Sequence, residues 1–107
     1  MFTKLKIDGT EIELVANAAT PFRFKQVFQK DLLQILGNEK KAEEEGVEAV
    51  TQLAYIMAKQ AEKADMAKLT YDDFIVWLEG FGSMAFVDAA EDIVNAYMNN
   101  TQTSATP

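Results

Sequence analysis

Lys4-Leu5-Lys6-Ile7-Asp8-Gly9-Thr10-Glu11-Ile12-Glu13-Leu14 is the stretch from which the fold can be read. Apolar and polar side chains alternate on both sides of Asp8-Gly9, and that dipeptide suits the two positive-φ positions of a type I′ turn. The reading is a β-hairpin over residues 2–15. With Asp8 and Gly9 as the loop, Leu5 opposes Ile12, Ile7 opposes Thr10, Lys6 opposes Glu11 and Lys4 opposes Glu13. One face then carries Leu5, Ile7, Ile12 and Leu14, and the other carries two opposite-charge pairs, each worth roughly 0.2–1 kcal/mol. A slip by one residue would turn the apolar set into water. A lone hairpin is marginal, so this one must lay its apolar face on helices or join strands of another chain.

Beyond the hairpin the apolar period changes from two to three and four. Thr20 followed by Pro21 offers a cap hydroxyl and a proline suited to the first helical turn, with Phe24, Val27, Phe28, Leu32, Ile35 and Leu36 as one stripe and Gly37-Asn38 as a stop. Residues 38–45 are charged and hold no large apolar side chain, so they read as a loop or a frayed helix entry. The longest helix is expected from about Glu44 to Ala64, with Val47, Val50, Leu53, Ala54, Met57, Ala58 and Ala61 as its buried stripe. Glutamates at its start and Lys59 and Lys63 near its end complement the helix dipole. Thr70-Tyr71-Asp72-Asp73 is a variant capping box ahead of Phe74, Trp77 and Leu78, and Trp77 is expected in the core with Phe74 and Phe81. Ser83 can cap a last helix bearing Phe86, Val87, Ala90, Ile93, Val94, Tyr97 and Met98. The expectation is an α+β fold, mostly helical: an N-terminal hairpin, about four helices, one domain over residues 1–100 and a disordered tail over residues 101–107.

The chain has 107 residues, half of them apolar, which is enough for one core without a staple. It has neither cysteine nor histidine, which removes thiolate chemistry, disulfides, the most versatile general base and the usual zinc and copper ligands. No calcium loop, phosphate-cradling loop or dinucleotide fingerprint is present. The acid pairs Asp72-Asp73 and Glu91-Asp92 fall at capping or solvent positions, and adjacent helical residues diverge by about 100°, so they make poor catalytic dyads. The sequence therefore points to a protein without catalytic, metal or cofactor chemistry.

Net charge is −7, and it is unevenly placed. Through Lys41 there are seven basic and five acidic residues (+2), and from Ala42 onward three and twelve (−9). Such a surface repels phosphate backbones and anionic lipid, which argues against nucleic-acid and membrane partners. The N-terminus lacks an unbroken apolar signal core, no stretch is long enough for a membrane span, and the expected location is the cytoplasm. What remains is aromatic and methionine surface in excess of what so small a core needs. Phe22, Tyr55, Met66, Tyr71, Met84, Phe86, Tyr97 and Met98 are the candidates for a surface that accepts an apolar helix.

The order of segments adds a resemblance. The hairpin, then Thr20-Pro21-Phe22-Arg23-Phe24-Lys25-Gln26-Val27-Phe28, Leu53-Ala54-Tyr55-Ile56-Met57-Ala58-Lys59, Thr70-Tyr71-Asp72-Asp73-Phe74 with Trp77-Leu78, and Ala89-Ala90-Glu91-Asp92-Ile93 with Tyr97-Met98 follow one another over residues 2–100. This series resembles the tail assembly chaperones of long-tailed phages and prophages of Gram-positive bacteria. The resemblance implies a non-structural protein that coats the tape measure protein during tail assembly and is absent from the finished virion. It also implies, as a further partner, a longer frameshifted form of the same chain; a homo-oligomer is a separate expectation, from alanine-rich faces of the long helix that permit close approach of another copy. Two rival readings are an acidic inhibitor that mimics DNA toward a host protein, and a structural tail or head-completion protein.

Overall fold

Asp8 and Gly9 both take positive φ, 54° and 79°, and the strands pair in the register that this turn demands. The computed structural model describes residues 2–103 and the side chains of residues 3–99. Strand β1 (Phe2–Ile7) runs antiparallel to β2 (Thr10–Val15), with Leu5 opposite Ile12, Lys6 opposite Glu11 and Lys4 opposite Glu13. Ile7 and Leu14 are fully buried, Leu5 and Ile12 half-buried, and the four charged residues exposed. The hairpin thus satisfies its apolar face on helices of its own chain. Its tip is tied down as well: Gly82 N donates to Asp8 Oδ2 at 2.9 Å.

Five helices follow: α1 (Thr20–Phe28), α2 (Leu32–Gly37), α3 (Glu39–Ala61), α4 (Tyr71–Leu78) and α5 (Ala85–Thr103), with a 3-10 turn at Met66–Lys68 before α4. Helix α3 is the axis on which the others are built. Every residue from 51 to 58 is buried, so this part of α3 has no wet face and is wrapped by the hairpin, α1, α2, α4 and α5. Of its expected stripe, Leu53, Ala54, Met57 and Ala58 are buried, Val50 and Ala61 are half-buried and Val47, next to the break at Gly46, is exposed, while Tyr55 and Ile56, outside that stripe, are fully buried. A helix buried all round, here with Thr51 and Gln52 taken in beside the apolar residues, belongs in the middle of a core.

The expected helix over residues 20–36 is two helices. Gln29 turns left-handed at φ 57°, and Asp31 then caps α2 by accepting from Gln34 N at 3.2 Å. Thr20 is not the cap of α1. Its hydroxyl accepts from Asn17 N at 2.9 Å and donates to Gln60 Oε1 at 2.7 Å, which pins the entry of α1 to α3. Residues 39–45, expected as a loop or a frayed helix entry, are helical, and α3 ends at Ala61 rather than Ala64. The Thr70 capping box forms as expected: Asp73 N donates to Thr70 Oγ1 at 3.2 Å and Thr70 N donates to Asp73 Oδ2 at 2.9 Å. The Thr70 backbone N–H, and after it the Thr70 hydroxyl, hold the Asp73 carboxyl below its usual range. Trp77 is half-buried, packing on Phe81, Tyr55 and Phe86, while Phe74 stacks instead on Phe28, Tyr55 and Tyr71. Helix α5 continues to Thr103, three residues into the segment expected as a tail, and the remainder of that expectation, residues 104–107, lies outside the described residues.

Candidate functional site

Gly46 has φ 59° and ψ −145°, a conformation that side-chain-bearing residues avoid, and it breaks α3 into a short outer segment and a long inner one. The outer segment, residues 39–45, starts at Asn38, whose Oδ1 accepts from Lys40 N (3.0 Å) and Lys41 N (3.2 Å). Its sequence, Glu-Lys-Lys-Ala-Glu-Glu-Glu, gives it nothing large to bury. It is fastened at its other end by charge: Lys30 Nζ lies 2.8 Å from Glu45 Oε1 and 2.7 Å from Glu48 Oε1, on either side of Gly46. Burial works against the Lys30 ammonium, but the two carboxylates outweigh it and raise its pKa, and the same contact lowers that of Glu45.

Beneath this segment lies a cavity of about 270 Å³ lined by Leu32, Ile35, Leu36, Ala42, Gly46, Ala49, Val50, Leu53 and Val94. Helix α2, both parts of α3, and α5 meet there. None of the lining side chains is polar or titratable, so the one thing the site can do chemically is bury apolar surface. Two further clefts flank the outer segment, one of about 230 Å³ with Lys30, Lys41 and Glu45 in its walls and one of about 370 Å³ between Leu33 and Lys41. Ala42 lines the apolar cavity yet remains exposed, so the segment covers the cavity without sealing it.

The residues singled out from sequence divide into two sets. Phe22 (75% exposed), Tyr71, Met84 and Met98 present surface, on α1, on α4, just before α5 and on α5. Tyr55, Met66, Phe86 and Tyr97 are buried, which corrects the expectation that they offer surface to a partner. Tyr55 sits at the centre of α3 with its ring against Phe28, Phe74 and Trp77, at centroid distances of 6.2, 5.3 and 5.3 Å. Burial first, and then the charges of Asp73 and Glu62, push its hydroxyl up to about 12, and burial raises Tyr97 as well. Phe86 closes a ring cluster with Trp77 and Phe81, and Met66 is buried in the 3-10 turn. Of the exposed four, Met98 stands one turn beyond Val94 on the helix that lines the cavity.

Sequence reading missed the cavity because its lining residues look like ordinary core. A usable signal was present: Asn38 ahead of a good helix former reads as a cap as well as a stop, and Gly46 inside a helical pattern marks a break. Other exposed apolar residues, Leu33, Val47, Ile75, Val76 and Val87, belong to the surface that composition implied but could not place. Among the described residues no helix is long and apolar enough to cross a membrane, and no group of three or more acidic residues could hold a metal ion. Comparison with protein-family models, curated proteins and solved structures finds no match.

Proposed function

We propose that this chain is a non-catalytic chaperone of phage tail assembly that binds apolar helical stretches of a tape measure protein and keeps them soluble in the host cytoplasm. The observation that carries the reading is the apolar, partly uncovered cavity at Gly46 in a chain of net charge −7. A long apolar-rich helix aggregates before tube subunits surround it, and a binder that is soluble by charge yet open to apolar side chains answers that need. The ordered resemblance over residues 2–100 supplies the identity of the client. Weak sites repeated along one long client would add through multivalency.

The acidic-inhibitor reading needs carboxylates free to stand in for phosphates. Asp8, Asp31, Asp65 and Asp73 each accept a backbone N–H, and Glu45 and Glu48 are paired with Lys30, so many of the acids have local work. Co-expression of the tape measure protein with and without this chain, followed by centrifugation, is the test. The proposal expects the tape measure protein in the pellet when alone and in the supernatant when accompanied. Equal solubility in both cases, or normal tails from a phage lacking this gene, removes it. Persistence of the chain in purified virions would favour a structural tail component.

A further inference from the structure

The cavity at Gly46 is already covered by a helix, and the cover indicates what can replace it. Residues 39–45 make about two turns, and the group they contribute to the cavity lining, apart from Gly46, is the methyl of Ala42. About 270 Å³ remains open there, just below the roughly 300–1,000 Å³ of small-ligand pockets, which suits one or two apolar side chains better than a small molecule. What holds the cover is polar and sits at its ends: the Asn38 cap and the Lys30–Glu45 pair. Displacing it strands no cation, because Lys30 keeps Glu48 at 2.7 Å.

We infer that residues 39–45 are a displaceable flap and that the cavity beneath takes large apolar side chains from an amphipathic, lysine- or arginine-bearing helix that lies where the flap lies. The inference rests on the proposed function only for the identity of the protein that supplies the helix. Charge selects this occupant. Glu91, one turn before Val94 on α5, stays in place when the flap leaves and has no cation within 4.0 Å among the described residues, and the chain as a whole is at net −7. A cation flanking the apolar face of an incoming helix would meet Glu91 and the overall negative charge, whereas a second copy of this chain, at net −7, would bring acid to acid.

The probe is a fluorescent peptide with leucines at i, i+3, i+4 and i+7 and lysines elsewhere, compared with its leucine/glutamate counterpart, titrated into the full chain. The leucine/lysine peptide is expected to bind, and to speed hydrogen exchange of the flap amides 42–45 as the flap leaves. Ala42→Leu, which fills the cavity from within, should weaken binding tenfold or more without lowering the unfolding midpoint read by Trp77. Asn38→Ala, which loosens the flap, should tighten binding and covers the case in which Ala42→Leu misfolds. Equal binding by Ala42→Leu and the unaltered chain, equal binding of the glutamate peptide, or slower flap exchange on binding overturns the inference. Tape measure protein kept soluble by both the unaltered chain and Ala42→Leu would sink the flap and leave the proposed function standing. Peptide binding lost in Ala42→Leu while the tape measure protein precipitates regardless would do the reverse.

Discussion

Residues 51–58 and residues 39–45 lie on the two sides of the break at Gly46 in α3 and are held by different forces. The inner run, Thr-Gln-Leu-Ala-Tyr-Ile-Met-Ala, is buried on every side, with the rings of Phe28, Phe74 and Trp77 against Tyr55. The outer run is held by a cap, worth about 0.5–2 kcal/mol, and by an ion pair near the surface, worth about 0–1 kcal/mol. Packing of the inner kind is lost only when the whole domain unfolds, whereas polar fastenings at the ends of a segment can open by themselves. Gly46 separates the two regimes, since its conformation lets the outer run change direction without disturbing the inner one. Two helical segments joined at Gly46 therefore divide the work, one as the axis of the core and the other as a cover for a cavity.

The largest effect expected is on the inner side. Phe74→Ala should cost about 3–5 kcal/mol of global stability, read from the denaturant midpoint, while Glu43→Ala on the outer side should stay within about 0.5 kcal/mol. Similar costs at the two positions would erase the contrast. The Tyr55 hydroxyl gives a second contrast, with pH. Its pKa is raised to about 12 in the fold, so the folded state retains a proton that the unfolded chain loses near 10. Its contribution is complete below about pH 10 and lost as pH rises toward 12. Thermal melts should show that alkaline loss, and Tyr55→Phe, which removes a buried hydroxyl without a protein partner among the described residues, should reduce it at little cost near neutrality. An unchanged alkaline profile would place the titration elsewhere.

The hairpin was legible to the residue because turn, apolar face and charge face all demanded one register. The Thr70 box was legible for a similar reason, since the cap and its partner lie three residues apart. The split of residues 20–36 was not, because Gln29 carries no sign of its left-handed turn and the stripe runs through it unbroken. The cavity was hidden for a different reason. Leu32, Leu53 and Val94 are remote in sequence, and only the tertiary arrangement decides that they meet with space left over. Burial of Tyr55 likewise follows from α3 being wrapped all round, and that of Phe86 from its ring cluster with Trp77 and Phe81, neither of which a single-helix pattern specifies.

A smaller effect distinguishes the fastenings. Asn38→Ala should weaken the outer segment by about 1 kcal/mol. The loss should appear in exchange of the flap amides and leave the midpoint read by Trp77, the chain's one tryptophan, almost unchanged. An equal fall in that midpoint would mean the outer segment unfolds only with the core. Smaller again, Lys30→Met should raise flap exchange at low salt and make little difference at high salt, where screening has already weakened the Lys30 pairs. Salt-independent flap exchange in both proteins would show that charge does not hold the segment.

Native-state hydrogen exchange on the free, unaltered chain tests the division at Gly46 most directly. Amides 42–45 should exchange through local opening, far faster than amides 51–58 and with little dependence on denaturant, while amides 51–58 should exchange only with global unfolding. Equal protection and equal denaturant dependence on the two sides of Gly46 would contradict the account.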